Sequence, residues 1–225
     1  MWTGAARFQL GERVFGATGM RLGAHAEYVC LEEAGAITRL PDQLSHEQGA
    51  ALPFGGLASH FFLRRAAIQP GQRVLVYGAS GSLGTAGVQL ARAAGAVVDG
   101  VCSAANAALV QSLGAARVFD YARENFADVG ERYDVVYDAV GRSDFGDCLR
   151  ALSPRGVYLR AVHMTPGPLL RGLWTGLTSR KRVLGGVASE RLADLQFLCD
   201  LAAAGRLRPV VDRTFRFEEI VEAHR

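Results

Sequence analysis

Residues 74–84, Val-Leu-Val-Tyr-Gly-Ala-Ser-Gly-Ser-Leu-Gly, constrain this chain more than any other stretch. An apolar run ends on three glycines spaced three apart, Gly78, Gly81 and Gly84, and a helical pattern begins inside the motif. Glycine at such a turn lets the backbone approach an anion closely. The new helix then offers unpaired N–H groups and the positive end of its dipole. Ser80, Gly81, Ser82, Leu83 and Gly84 are therefore the expected seat of a diphosphate. A glycine triplet alone is a weak signal, with a ligand-free tight turn as the plain alternative. Between a strand and a helix, heading a strand–helix series, it points to a dinucleotide.

That series follows. Residues 73–77 read as a buried strand, and 82–94 as a helix through Leu83, Ala86, Gly87, Leu90 and Ala94. Next come a strand at 97–102, a helix at 105–113 closed by Gly114, and strands at 117–119 and 133–138. A helix at 143–152, stopped before Pro154, precedes strands at 156–162 and 182–187 and a last helix at 190–204. Alternation of this kind implies a parallel sheet with helices on both faces. Six strands suit a doubly wound α/β fold of the Rossmann type.

Before about residue 52 the texture differs: β-like pieces at 13–15, 26–30 and 36–40, punctuated by glycine, suggest a barrel or meander. The expected division is a dinucleotide-binding domain at 55–205 and a second, β-rich domain at 1–54 and 206–225.

Composition removes several classes. Hydrophobic residues at 49% and charged residues at 21% allow a sizeable core in 225 residues. The net charge of +3 is scattered, and Arg180-Lys181-Arg182 reads as a solvated strand entry. No basic stripe offers the many phosphate contacts of a nucleic-acid face. The apolar stretch 50–63 is broken by Pro53, Ser59 and His60 and falls short of a membrane span. With no secretory leader at the start, the expectation is a soluble cytoplasmic protein acting on a small molecule. Cys30, Cys102, Cys148 and Cys199 form no close pair, which argues for a reducing compartment and against a zinc ribbon. His25, His46, His60, His163 and His224 show no ligand spacing; only His163 stands at a strand's carboxyl end.

Rival uses of a glycine loop can be weighed. A P-loop needs lysine before Ser/Thr, and Gly84-Thr85 has none. Short-chain reductases need Tyr-x-x-x-Lys, whereas the sole lysine, Lys181, follows Leu177 at that spacing. A methyltransferase stays open as a minor alternative. NAD-selective sites place an acid at the end of the second strand. Here that end reads Gly100-Val101-Cys102-Ser103-Ala104-Ala105-Asn106, and Asp99 lies mid-strand. Ser103 and Asn106 as donors favour NADP(H) over NAD(H), modestly, since no arginine stands at 104–106.

As a set, Phe8-Gln9-Leu10-Gly11-Glu12-Arg13-Val14-Phe15-Gly16, Ala26-Glu27-Tyr28-Val29 and 68–84 resemble the medium-chain dehydrogenase/reductase superfamily. Leu113-Gly114-Ala115, Asp120-Tyr121, 133–138 and Pro209-Val210-Val211-Asp212-Arg213 continue the resemblance in order. It is nearest to the quinone oxidoreductase and zinc-less alcohol dehydrogenase-like branch. The resemblance implies a GroES-like substrate domain, partial here, and hydride transfer from NADP(H) to a quinone, enal or enone. It places Tyr121 beside the adenine end, with a packed strand-end aromatic as the alternative. Asp138, Val140, Gly141, Ala161 and Val162 would line the ribose and nicotinamide. Leu52-Pro53-Phe54-Gly55 stands where the zinc branch has its ligand, so no zinc is expected.

Full-length relatives begin with a long β-rich segment and continue past residue 225 to a final strand. The expectation is thus a substrate domain truncated at both ends, with open edges that invite aggregation or self-association, a homodimer among the outcomes. Cofactor binding is expected to persist while turnover is weak or nil, with a non-catalytic NADP(H)-binding module as the alternative function.

Overall fold

The computed structural model describes residues 7–19, 21, 23–162 and 179–225. In chain order its strands are β1 (Val14–Gly16), β2 (Ile37–Arg39), β3 (Arg73–Tyr77), β4 (Val97–Cys102), β5 (Arg117–Asp120), β6 (Tyr133–Asp138), β7 (Leu152–Arg160) and β8 (Arg182–Leu184). Its helices are α1 (His46–Ala66), α2 (Ser82–Ala93), α3 (Ala107–Ser112), α4 (Phe145–Ala151), α5 (Leu192–Ala203) and α6 (Ile220–Ala223).

Strands covered on both faces carry near-continuous apolar runs. Val74, Leu75 and Val76 of β3 are accordingly shut off from solvent. Six strands form one parallel sheet in the order β5-β4-β3-β6-β7-β8. Chain direction across the sheet reverses between β3 and β6, and such a switch point opens a crevice at the strands' carboxyl ends. The doubly wound parallel sheet expected from the sequence is present. β1 and β2 pair antiparallel in a separate two-stranded sheet, Phe15 opposite Thr38.

The long helix α1 was not read from the sequence. Ser45 caps it: its hydroxyl accepts from Gln48 N at 3.2 Å while Gln48 Oε1 accepts from Ser45 N at 3.0 Å. Pro53 lies within it, and the helix ends in a left-handed Ala67 at φ 53°. Its buried face packs Leu57 and Phe62 against the sheet layer, and such side chains stabilise by about 1.5–3 kcal/mol each when fully buried. Since α1 is continuous across residues 54 and 55, the division drawn there from sequence falls inside one helix.

Two further boundaries differ. Residues 26–30 form no strand, because nothing among the described residues pairs with them; Tyr28 and Val29 are exposed. The helix expected at 143–152 is Phe145–Ala151, and β7 starts at once at Leu152. The register then jumps from Tyr133↔Leu152 to Val135↔Val157. Pro154, lacking an N–H for the ladder, lies in that bulged stretch. No described helix is long and apolar enough to cross a membrane.

Candidate functional site

The loop leaving β3 is built around one close approach. Gly78 takes φ 78°, and a side chain there would meet Val140 Cγ1 at 2.6 Å. Gly78 N and Ala79 N donate to Val101 O at 3.0 and 2.9 Å, tying the turn to β4. Gly84 presses on this turn so closely that a Cβ would lie 2.0 Å from Gly78 O. Only glycine fits.

Gly81 caps α2 with no side-chain hydrogen bond, and Thr85 N already donates to Gly81 O at 2.8 Å. The N–H groups of Ser82, Leu83 and Gly84 therefore have no intrahelical acceptor. At Gly81 a Cβ would find nothing nearer than 3.6 Å, so this glycine borders open space. That space is a cleft of about 1080 Å³, at the upper end of the range for cofactor sites. Its walls include Gly81, Ser82, Leu83, Gly84, Val140 and Ala161, all expected from sequence. A buried hydroxyl pair joins α1, α2 and β6. Ser59 Oγ donates to Leu83 O at 2.7 Å and stands 3.0 Å from Tyr137 Oη. Burial pushes the Tyr137 phenol well up, against the lowering effect of Ser59. The phenol stays protonated and ties β6 to Ser59, whose own hydroxyl holds α2 on α1.

Asp138 has another role than lining. Its carboxylate is wholly buried and accepts from Val140 N (3.2 Å), Gly141 N (2.7 Å), Ser143 Oγ (2.6 Å) and Tyr158 Oη (3.1 Å). Those bonds shape the 138–143 loop that presents Val140 to the cleft. Gly141, at φ 70°, packs on Val162 O and is likewise buried behind the wall. Arg160 joins the same loop to the end of β7, donating to Gly141 O at 2.8 Å and Val162 O at 3.0 Å. Burial pushes the nearby Cys148 thiol up to about 12, so it stays a neutral packing group.

Ser80, Ser103 and Asn106 come together at the end of β4: Asn106 Nδ2 donates to Ser80 Oγ and to Ser103 Oγ, each at 3.3 Å. Asp99 is buried mid-strand and accepts from Arg73 and Tyr133 Oη, each at 2.9 Å. Asp120, across the ladder from Cys102, accepts from Ala122 N at 3.1 Å and sits 3.5 Å from Arg123. Tyr121 follows it, exposed, its N–H on Cys102 O at 3.3 Å. The aromatic therefore stands open to solvent near the end of β4 and does not pack inward.

Sequence reasoning missed about half of the cleft's lining. Phe54, Leu57 and Phe62 of α1 line it, as do Arg142 and the segment Gly185-Gly186. The glycine pair just after β8 was the available signal for a turn there. His163 lies outside the described residues. Leu52, Pro53, Phe54 and Gly55, where a zinc ligand was sought, lie within α1 and offer no donor atom. Among the described residues no group of three or more His, Cys, Asp or Glu is set to hold a metal ion.

Comparison with known proteins gives a consistent set. A family model described as zinc-binding dehydrogenase matches residues 113–225. The quinone oxidoreductase of Pseudomonas aeruginosa is 32% identical, the match covering 97% of this chain and 71% of that protein. The mitochondrial NAD(P)H oxidoreductase RTN4IP1 of Mus musculus is 30% identical over 96% of this chain and 61% of its own length. The solved quinone oxidoreductase of Coxiella burnetii superposes with a TM-score of 0.86 at 28% identity, covering 96% of this chain and 68% of that one.

Proposed function

Because the chain belongs to the medium-chain dehydrogenase/reductase superfamily, in its quinone oxidoreductase-like branch of NAD(P)H-dependent oxidoreductases, we propose that it binds NADP(H) in preference to NAD(H) and passes a hydride to a quinone, enal or enone without zinc. The observation that carries this reading is the uncapped start of α2, opening beside Gly81 into a mostly apolar cleft.

The N–H groups of Ser82, Leu83 and Gly84 would hold the diphosphate against the positive end of α2. Ser80, Ser103 and Asn106 would donate to a 2′-phosphate; β4 itself ends without a carboxylate, and neighbouring Asp120 on β5 stands 3.5 Å from Arg123. Tyr121 would cover the adenine. Val140 and Ala161 would border the nicotinamide, which when bound supplies a hydride to the polarised substrate. Phe54, Leu57 and Phe62 would give that end an apolar wall. A proton from solvent completes the reduction of the alkene or quinone. The residues at 52–55 do not fit a catalytic zinc, and no step is routed through one.

The second reading, cofactor binding without turnover, draws on the two-stranded β1–β2 sheet and the exposed Leu10 and Tyr28 beside it. One experiment separates the two. NADPH and NADH are titrated by fluorescence, and quinone and enal reduction is then assayed in chelator-treated buffer. Tighter NADPH binding with metal-free turnover supports the reductase. NADPH binding with no turnover supports the module, and no binding removes both.

A further inference from the structure

A second charged cavity lies at the opposite end of α2 from the glycine loop. It measures about 410 Å³ and is lined by Gln89, Arg92, Ser112, Leu113, Arg206 and Arg208 together with Ala93 and Gly205. With a rise of about 1.5 Å per residue, Arg92 stands roughly 15 Å along the helix from Ser82. The two sites are separate.

Three arginines from two segments, Arg92 on α2 and Arg206 and Arg208 just after α5, line this hollow. Arg92 lies across Gly114, whose missing Cβ makes room: a side chain there would come within 2.4 Å of Arg92 Cδ. Arg206 uses one nitrogen to cap the carbonyl of Ala93 at 2.8 Å. Arg208 donates to Ser112 Oγ at 3.1 Å. Its backbone is pinned through Gln89, whose Oε1 accepts from Arg208 N at 2.7 Å and whose Nε2 donates to Arg208 O at 3.0 Å. By contrast, Arg73 pairs with Asp99, Arg117 with Glu124 and Arg150 with Asp147. At this cavity no carboxylate among the described residues stands within 4 Å of any of the three.

Three positive charges converging on a polar hollow repel one another, and the arrangement is relieved when a multiply charged anion enters. Guanidinium forks match phosphate oxygens in pairs. We propose that this cavity is an anion site for a small, multiply phosphorylated compound, distinct from the dinucleotide cleft. A hollow of this size has room for a diphosphate or a phosphosugar and not for a dinucleotide.

The test is calorimetric titration of the full chain with inorganic pyrophosphate, orthophosphate and citrate. It compares the parent, Gly81→Leu, which fills the dinucleotide cleft, and the triple variant Arg92→Gln/Arg206→Gln/Arg208→Gln made in the Gly81→Leu background. The expected result is pyrophosphate binding by the parent and by Gly81→Leu alike, weakened at least tenfold in the triple variant. Orthophosphate and citrate should bind more weakly than pyrophosphate. Arg92→Gln alone, which removes no internal hydrogen bond, should weaken binding several-fold with an unchanged circular dichroism spectrum. The proposal is overturned if the parent takes up no pyrophosphate at millimolar concentration or if citrate binds more tightly. Equal binding by the triple variant, or loss of binding in Gly81→Leu, overturns it too.

Discussion

Gly55 of α1 faces Ser82, the first residue of α2, so closely that a Cβ at position 55 would stand 2.4 Å from both Ser82 O and Ser82 Oγ. The phosphate-holding end of α2 is thus set by contact with α1. Gly55→Ala should push the helices apart, lowering stability by about 1–3 kcal/mol. It should also weaken NADPH binding, because Ser82 and Leu83 shift together. Urea denaturation and a parallel NADPH titration check both.

The buried hydroxyl pair tells a related story. Removing the Ser59 hydroxyl leaves Leu83 O and Tyr137 Oη each short of a partner inside the protein. Ser59→Ala should therefore cost about 1–3 kcal/mol. Tyr137→Phe, which leaves Ser59 bonded to Leu83 O, should cost less. A denaturation series that ranks them the other way contradicts the assigned geometry.

Coenzyme choice should respond to one side chain. An acid at the end of β4 would bind the ribose hydroxyls of NAD and repel a 2′-phosphate. Ser103→Asp should accordingly weaken NADPH at least tenfold, about 1.4 kcal/mol, while NADH binding holds or improves. The ratio of the two dissociation constants reads this directly.

Stability should also depend on pH through His60. Burial holds its pKa below the ordinary 6.5, partly opposed by Asp194, with Arg64 and Arg191 adding to the lowering. A histidine that is harder to protonate in the folded chain binds fewer protons there than in the unfolded chain. Its contribution is complete above about pH 6.5 and is lost as the pH falls below that value toward the folded pKa. Asp194, held low by its hydrogen bond to Arg191, adds a second loss only in more acid solution, below its ordinary 3.8. The unfolding free energy should decline as the pH falls below about 6.5, and His60→Phe should flatten that decline.

Much of this was legible in the sequence, for physical reasons that differ by region. The strands β3, β4 and β6 are apolar runs covered on both faces, and the turn after β3 needs glycine; both leave marks in one dimension. Helix α1 left the opposite marks. Pro53 with Gly49, Gly55 and Gly56 reads as a breaker-rich loop, yet a side chain at Gly49 would strike Leu40 and one at Gly56 would strike Leu198. The glycines that lower helix propensity are the ones that let α1 pack, so tertiary contact overrides local preference. Asp138 looked like a ligand from its position, but which way a carboxylate turns depends on donors such as Tyr158, 20 residues on. Arg142 and Gly185-Gly186 enter the cleft only through the fold.

The central claim is that the amides at the start of α2 hold a diphosphate beside Gly81. The most direct measurement is NADPH affinity of Gly81→Leu against the parent, with melting temperature recorded on the same samples. Since a Cβ at Gly81 meets nothing within 3.6 Å, the melting temperature should hold while NADPH binding falls at least a hundredfold, about 2.7 kcal/mol. An intact variant that still binds NADPH as tightly as the parent would contradict the account.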